Sequence, residues 1–237
     1  MEALVLSVLP HGEHGAVVRF LGFEEGLIAA FVHGARSRRR RADLAIGTRV
    51  ALALRPRGEG QLPTATLEAV SSRGLLAFDP DTAAALSYLA QLVSDLLAEG
   101  DSHPRLAHAL DALLTRMAHP GWLADFARFE LLLLAETGFG LDLAACALGG
   151  ARGDLAFVSP RTGRAVSRAM AQGQPWASRL LPLPPLLRDP ASDEGLAEAL
   201  ALTGHFLASH LFPQAPRAAP LRARLVERLL LRHEGPA

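Results

Sequence analysis

The densest charge in the sequence lies at residues 34–41, which read Gly-Ala-Arg-Ser-Arg-Arg-Arg-Arg. Four consecutive arginines cannot all be buried, because an unpaired guanidinium loses a large hydration free energy inside a protein. The planar guanidinium group can hold two phosphate oxygens at once, so arginine suits the recognition of a nucleic-acid backbone. The run therefore predicts a loop that binds nucleic-acid phosphates. The alternatives are a solvated loop without a partner and a nuclear localisation signal; the second fits less well, because predicted strands flank the run.

Aromatic side chains, which would stack on unpaired bases, are scarce in the first 75 residues. The phenylalanines there are Phe20, Phe23 and Phe31, and we expect some of them to fill a core. Nucleic-acid affinity should therefore come mainly from phosphate contacts, with little dependence on base sequence. If about five arginines engage a single strand, the logarithm of the binding constant should fall against the logarithm of salt concentration with a slope of roughly −3 to −4.

Catalytic motifs are missing from the sequence. His11-Gly12-Glu13 matches half of a zinc deaminase signature, but that site also needs P-C-x-x-C, and Cys146 is the only cysteine. G-x-S-x-G, H-E-x-x-H and Walker A patterns do not occur. Gly138-Phe139-Gly140 follows a predicted helix, so it indicates a helix end and not a dinucleotide-binding loop. We therefore predict no catalytic residues, no metal ligands and no cofactor, and a protein that is not an enzyme.

The composition bounds the partners and the compartment. All 24 basic residues are arginine, which indicates a coding bias as much as a functional choice, and the net charge is zero. The charge is uneven: residues 1–74 hold ten arginines against seven acids. The single cysteine excludes an intrachain disulfide and favours a reducing compartment. An export signal and a stretch of 18 apolar residues are both lacking, so we predict a cytoplasmic protein without a membrane span.

Five short apolar segments in the first 75 residues predict a β-barrel that positions the basic run between its third and fourth strands. Gly, Pro and charged turns separate the segments. Five strands fit an OB-type Greek-key barrel, and an SH3-like barrel is the alternative. The predicted strands are Leu4–Leu9, Ala16–Leu21, Leu27–Val32, Arg49–Leu54 and Ala65–Val70.

After Gly74 the apolar residues recur at helical spacing. Asp79-Pro80-Asp81 is a helix-start signature, and further helices are predicted after Pro104 and from Trp122 to Thr137. A Gly-, Pro- and Arg-rich stretch follows, in which residues 156–158 are a predicted strand. Two helices close the chain, at Glu194–His210 and about Pro216–Arg232. The predicted fold class is α+β in two domains, an OB-fold barrel at 1–76 and a mostly helical domain at 77–237.

Several motifs along the chain carry a family resemblance. In the predicted barrel they are Pro10-His11-Gly12-Glu13-His14, Gly26 and Gly34-Ala35-Arg36. In the helical region they are Arg128-Phe129-Glu130 with Leu133, Leu134 and Gly138, then Leu141-Asp142-Leu143, Cys146, and residues 157–166. In this order and spacing, the motifs resemble the RecO family of bacterial recombination mediators over nearly the whole chain.

The resemblance implies a DNA repair and recombination mediator that binds single- and double-stranded DNA and anneals complementary strands. The implied partners are RecR and the acidic C-terminal tail of single-stranded DNA-binding protein (SSB). With RecR, such a protein helps to load RecA onto SSB-coated strands, without ATP hydrolysis. The alternative function is a protein–protein scaffold whose basic loop is solvated and does not bind DNA.

Transferred to this sequence, the resemblance assigns arginines to two sites. Arg128 and, more weakly, Arg224 are candidates for binding the partner's acidic tail, although Arg128 could instead form a salt bridge on its own helix. The DNA-binding candidates are Arg36, Arg38, Arg39, Arg40 and Arg41, with Arg19, Arg49, Arg55 and Arg57 as weaker ones.

Many members of this family carry a four-cysteine zinc site within the region that corresponds here to about residues 139–190. The two cysteine pairs of that site read Cys146-Ala-Leu-Gly149 and Ser167-Arg-Ala-Met170 in this sequence. One thiol cannot form a tetrahedral zinc site. We therefore predict a degenerate zinc-finger-like insertion without metal, in which Cys146 is a small buried hydrophobic residue.

Overall fold

The structure, a computed structural model, describes residues 1–233, so the last four residues of the predicted helical domain lie outside it. Five strands form a closed barrel in the order β1-β2-β3-β5-β4, which confirms the predicted OB-like barrel and all five predicted strands. Neighbouring strands are antiparallel except β3 and β5, which are parallel. The strands are β1 Glu2–His11, β2 Gly15–Gly22, β3 Gly26–Val32, β4 Arg49–Arg55 and β5 Thr64–Ser71.

Alternating apolar side chains fill the barrel. Val18 and Phe20 on β2 point inward with no exposed area, because successive side chains of a strand face opposite sides. Ala35 and Leu44, on either side of the arginine run, complete the same core. The arginines themselves are therefore held at the surface between two buried anchors.

The prediction of a loop at residues 38–41 is wrong, because these residues belong to a short helix, α1 Arg38–Asp43. Arginine has a high helix propensity, and Ser37 supplies the N-cap. The hydroxyl of Ser37 accepts a hydrogen bond from the N–H of Arg40 at 3.3 Å. None of the residues of α1 is buried, so the helix lies on the barrel as a cationic surface element.

The barrel, α1 and three longer helices form one of two compact units, which spans Met1–Pro120 and the described residues from Gln214 onward. Asp79 begins α2 as predicted, because its carboxylate accepts from the N–H groups of Asp81 and Thr82 at 3.0 and 2.9 Å. A domain boundary near residue 76 stays a prediction. The helical elements here are a 3₁₀ turn Gly74–Ala77, α2 Pro80–Leu96, α3 Pro104–Arg116 and α7 Ala218–His233.

The second unit, Gly121–Pro213, combines helices with a small three-stranded sheet of order β7-β6-β8. Within it, the predicted helix at Glu194–His210 ends in a π-helical turn, Leu207–Leu211. The helices and strands are α4 Trp122–Glu136, β6 Leu155–Val158, β7 Ala165–Ser167, α5 Arg168–Ala171, β8 Leu181–Pro182 and α6 Leu196–Phe206. The 3₁₀ turns are Arg152–Asp154, Ala177–Arg179 and Pro185–Leu187.

Candidate nucleic-acid interface

Four arginines of the run are exposed and available to an anion. Arg36, which precedes the Ser37 cap, and Arg38, Arg39 and Arg41 of α1 all project into solvent. Within residues 1–233, none of the four has an ion-pair partner. A short helix with this many uncompensated cations attracts a polyanion, and the attraction weakens as salt screens it.

Arg40 has a different role from its neighbours. Its Nη1 donates to the carbonyl of Leu67 on β5 at 2.5 Å and lies 3.8 Å from the carboxylate of Asp43. The side chain is one-third exposed. Arg40 therefore fastens α1 to the barrel, and its guanidinium is largely occupied within the protein.

Arg49 and Arg19 also bind other parts of their own unit. Arg49 donates to Glu2 and, at 3.1 Å, to Asp111 on α3, and its guanidinium lies 4.9 Å from the centre of the Phe23 ring. The hydrogen bond to Glu2 raises the pKa of Arg49 above its ordinary value, against an opposing effect of burial. These contacts show that Arg49 connects the barrel to α3.

Arg19 on β2 donates to the carbonyl of Ser94 on α2 at 2.8 Å. It lines a groove of about 540 Å³ between the outer face of the barrel, α2 and the start of α7. The groove is largely apolar, with Leu9 and Leu221 among its lining residues and Arg217 beside them. Glu99 also lines the groove and Arg217 is paired with Asp95 at 2.5 Å, so charges of both signs are present there. The guanidinium of Arg19 is itself fixed against α2.

Arg55 ends β4 and Arg57 lies in the following loop, and both are exposed. The guanidinium of Arg57 lies 5.7 Å from the centre of the Phe31 ring. Phe31 is half-buried, whereas Phe20 and Phe23 are buried as expected for core residues. A partly exposed aromatic ring therefore does lie on the barrel surface.

Two histidines extend this ring into a cluster. The edge-to-face contacts of Phe31 reach His11 at 5.9 Å and His33 at 4.7 Å, measured between ring centres. We call Phe31, His11, His33 and Arg57 the Phe31 cluster. The aromatic composition does not reveal the cluster, because two of its rings belong to histidines. The one local signal is that His33 falls two residues after Phe31, although one residue beyond the predicted strand Leu27–Val32.

Arg128 on α4 is saturated with hydrogen bonds inside its own unit. Its guanidinium donates to the carbonyls of Leu186 at 3.3 Å, Ser192 at 2.6 Å and Asp189 at 3.4 Å. It also donates to the carboxylate of Asp125 at 3.4 Å. This geometry favours the interpretation of Arg128 as a salt-bridge residue, here paired with Asp125. In addition, Arg128 holds the segment that contains the Pro185–Leu187 turn against α4.

Arg224 lies exposed on α7 and has no ion-pair partner within the described part of the chain. It lies three residues after Leu221, so both residues are neighbours on one side of the helix. Leu221 lines the groove beside Arg19. Arg224 is therefore an exposed cation on the side of α7 that also carries Leu221.

The structure brings together the two segments that correspond to the cysteine pairs. The N–H of Ser167 donates to the sulfur of Cys146 at 3.3 Å, and the thiol lies 3.6 Å from the Ser167 hydroxyl. A Cβ at Gly150 would lie 2.1 Å from that hydroxyl, whereas a Cβ at Gly149 would meet nothing within 4 Å. Within residues 1–233, no three His, Cys, Asp or Glu side chains cluster as metal ligands. These residues do not fit a zinc ion.

Cys146 is buried, as predicted, but its surroundings are not simply apolar. Burial raises the pKa of the thiol, yet hydrogen bonds from the N–H groups of Ser167, Leu148 and Gly150 and from the Ser167 hydroxyl outweigh it. The pKa falls from its ordinary 9.0 to about 7. Backbone donors therefore stabilise the thiolate at this position.

The lowered pKa of Cys146 predicts a pH-dependent contribution to stability. Because the folded-state pKa lies below the unfolded one, the contribution is complete above about pH 9 and is lost as pH falls through about 7. As pH rises from about 7 to 9, we expect the unfolding free energy of wild type to increase by about 1 to 2 kcal/mol relative to that of Cys146→Ala. Urea titrations under reducing conditions would measure it. A difference independent of pH would show that the thiol stays protonated.

Within residues 1–233, no helix is both long enough and apolar enough to cross a membrane.

Comparison with known proteins identifies both parts of the chain. Residues 1–73 match the model of the Recombination protein O N-terminal domain, and residues 77–218 match that of the C-terminal domain. The DNA repair protein RecO of Paracoccus denitrificans is 47% identical over 232 residues, covering 96% of this chain and 94% of that protein. The RecO proteins of Caulobacter vibrioides strain NA1000 and Phenylobacterium zucineum are 45% and 43% identical over 236 residues, covering 96% of both chains in each case. A basic OB-like barrel followed by helices, matched over its length in this way, places the chain in the RecO family of DNA repair proteins.

Proposed function

We propose that this RecO-family protein binds single- and double-stranded DNA through the exposed arginines of its barrel and acts as a cytoplasmic mediator of recombination, not as an enzyme. In this role it anneals complementary strands and, together with RecR, helps to load RecA onto SSB-coated single strands. One observation carries the proposal: Arg36, Arg38, Arg39 and Arg41 are exposed and lack an ion-pair partner in the described residues.

The geometry narrows the set of DNA contacts. The end of β4 and the loop that follows it add the exposed Arg55 and Arg57 to the four arginines at α1. OB barrels bind oligonucleotides on strands 2 and 3 and on the loops that join strands 1–2 and 4–5, which is where this second pair lies. Arg19, Arg40 and Arg49 have partners inside the protein, and we expect them to support the fold.

The proposed partner contact is the acidic, phenylalanine-ended tail of SSB. The groove beside α7 is lined by apolar residues such as Leu9 and Leu221 and by Arg217, which is paired with Asp95 at 2.5 Å. The exposed Arg224 follows Leu221 on the same side of α7. Cations at the edge of an apolar groove complement acidic residues that precede an aromatic side chain. Of the two arginines considered for this role, Arg224 is available, whereas Arg128 already holds three carbonyls.

The test is fluorescence anisotropy with labelled single-stranded DNA over a salt series. We expect a variant with serine at Arg38, Arg39 and Arg41 to bind much more weakly, and its salt slope to be shallower by roughly 2, because about three phosphate contacts are lost. Arg40 is kept, since it anchors α1 to Leu67.

The matched control replaces Arg152, Arg161 and Arg179 by serine. These arginines are also exposed but lie in the second unit, so net charge changes equally. Equal loss in both variants would mean that overall charge and not α1 governs binding. If wild type itself does not bind, the scaffold alternative, in which the basic helix is only solvated, replaces the proposal.

A further inference from the structure

We propose that the Phe31 cluster is a stacking platform for unpaired bases and gives the protein a preference for single strands. This inference rests on the nucleic-acid binding proposed above and adds a base contact to it. It also revises the expectation that affinity comes mainly from phosphate contacts. The residue that defines the platform is Phe31, which is half-buried on β3.

The cluster presents flat, unsaturated groups at the barrel surface. His11, His33 and Arg57 are exposed, and all three contact the Phe31 ring within 6 Å of its centre. Imidazole, phenyl and guanidinium planes are the groups on which bases stack in single-strand binding proteins. Each of the three contacts Phe31, so the four planar groups form one surface patch centred on that ring, in which the Arg57 guanidinium can also bind a phosphate.

A glycine makes room for the ring. A Cβ at Gly15 would lie 2.1 Å from Cζ of Phe31, so the ring occupies the space where another residue would place its side chain. Gly15 pairs with His11 at the β1–β2 hairpin, and this pairing brings the His11 ring next to the Phe31 ring. The N–H of Phe31 donates to the carbonyl of Pro63 at 2.8 Å, so the loop that carries Arg57 is fixed beside it.

The platform lies close to the basic helix along the chain. Arg36 lies five positions after Phe31 in the chain, so their Cα atoms are at most about 18 Å apart. One oligonucleotide can therefore contact both, because an OB barrel binds about 4 to 16 nucleotides. In a duplex each base is stacked between its neighbours and must first be taken out of the stack, so the platform favours unpaired strands.

The experiment compares wild type with Phe31→Leu on three labelled ligands of equal length: single-stranded oligothymidine, the same strand with abasic sites, and a duplex. We expect a loss of about 5- to 100-fold in affinity for oligothymidine. Affinity for the abasic strand and the duplex should be nearly unchanged, because their phosphates still contact α1. Phe78→Leu is the matched control, since Phe78 is 84% exposed and lies outside the barrel.

The outcomes separate this inference from the proposed function. If Phe31→Leu binds all three ligands like wild type while the arginine variant does not, the platform is refuted and the phosphate site stands. An equal loss on all three ligands would mean that the ring only supports the fold, which also refutes the platform. His33→Ala removes an exposed ring without disturbing the core, so a loss confined to oligothymidine in that variant supports stacking even if Phe31→Leu folds poorly.

Discussion

Replacing Gly26 by alanine should lower the free energy of unfolding by about 2 to 5 kcal/mol. Gly26 begins β3 with a φ of +73°, a conformation that L-residues adopt at a cost. A Cβ there would lie 2.0 Å from the backbone carbonyl oxygen of Asp101, and backbone atoms cannot move aside cheaply. The N–H of Gly100 donates to the carbonyl of Leu27 at 2.9 Å, so this close approach is itself hydrogen-bonded. Urea unfolding followed by circular dichroism would measure the loss.

The control for this experiment is Gly12→Ala. Gly12 has a similar φ of +65°, but a Cβ there would meet no atom within 4 Å. We expect this variant to lose only the conformational cost, about 1 to 2 kcal/mol. Equal losses in the two variants would show that the contact between the β2–β3 hairpin and the segment before α3 can relax without cost.

Replacing Arg128 by methionine should destabilise the protein by about 2 to 4 kcal/mol. Methionine keeps an apolar stem but donates no hydrogen bonds, so the carbonyls of Leu186, Asp189 and Ser192 lose their common donor. Hydrogen bonds from a charged group are stronger than those from a neutral group. The bonds from Arg128 hold in place a segment that has little regular structure. Thermal or urea unfolding measures the effect.

Arg188→Met is the control, because Arg188 is exposed in the same segment and forms no ion pair among the described residues. It should change stability by less than about 0.5 kcal/mol. The two interpretations of Arg128 also differ in binding. If Arg128→Met keeps wild-type stability but no longer binds an acidic, phenylalanine-ended peptide, Arg128 is a partner contact and the structural clamp is disproved.

The strands and long helices were predictable because each carries a repeating signal. Short apolar segments separated by Gly, Pro and charged turns identified all five strands, and Asp79 before Pro80 marked the start of α2. Helix α1 was missed because it spans only Arg38–Asp43, too short for any periodicity. The only sequence signal of α1 was local: Ser37, whose hydroxyl caps the N–H of Arg40 three residues later. The run was predicted as a loop between two strands, so this signal was not used.

The candidate site was predictable only in part, because a sequence does not show which cations are already paired. Arg40 and Arg41 are adjacent and identical in type, yet Arg40 donates to Leu67 while Arg41 is exposed. The partner of Arg49 on α3, Asp111, is 62 residues away in sequence. The Phe31 cluster likewise joins three separate segments. Such pairings depend on how distant segments pack together in the folded chain and are not visible in local patterns.

The barrel closes between β3 and β5 through two residue pairs alone, Phe31 with Thr64 and Val32 with Ala65. Strand pairs this short open and reclose more often than long ones, so this is where the barrel should transiently come apart. Because Phe31 belongs to both the closure and the proposed platform, a DNA strand that stacks on Phe31 can bind only the closed barrel. Bound DNA would then stabilise the closed barrel and, with it, the backbone contacts between β3 and β5 that shape the binding site.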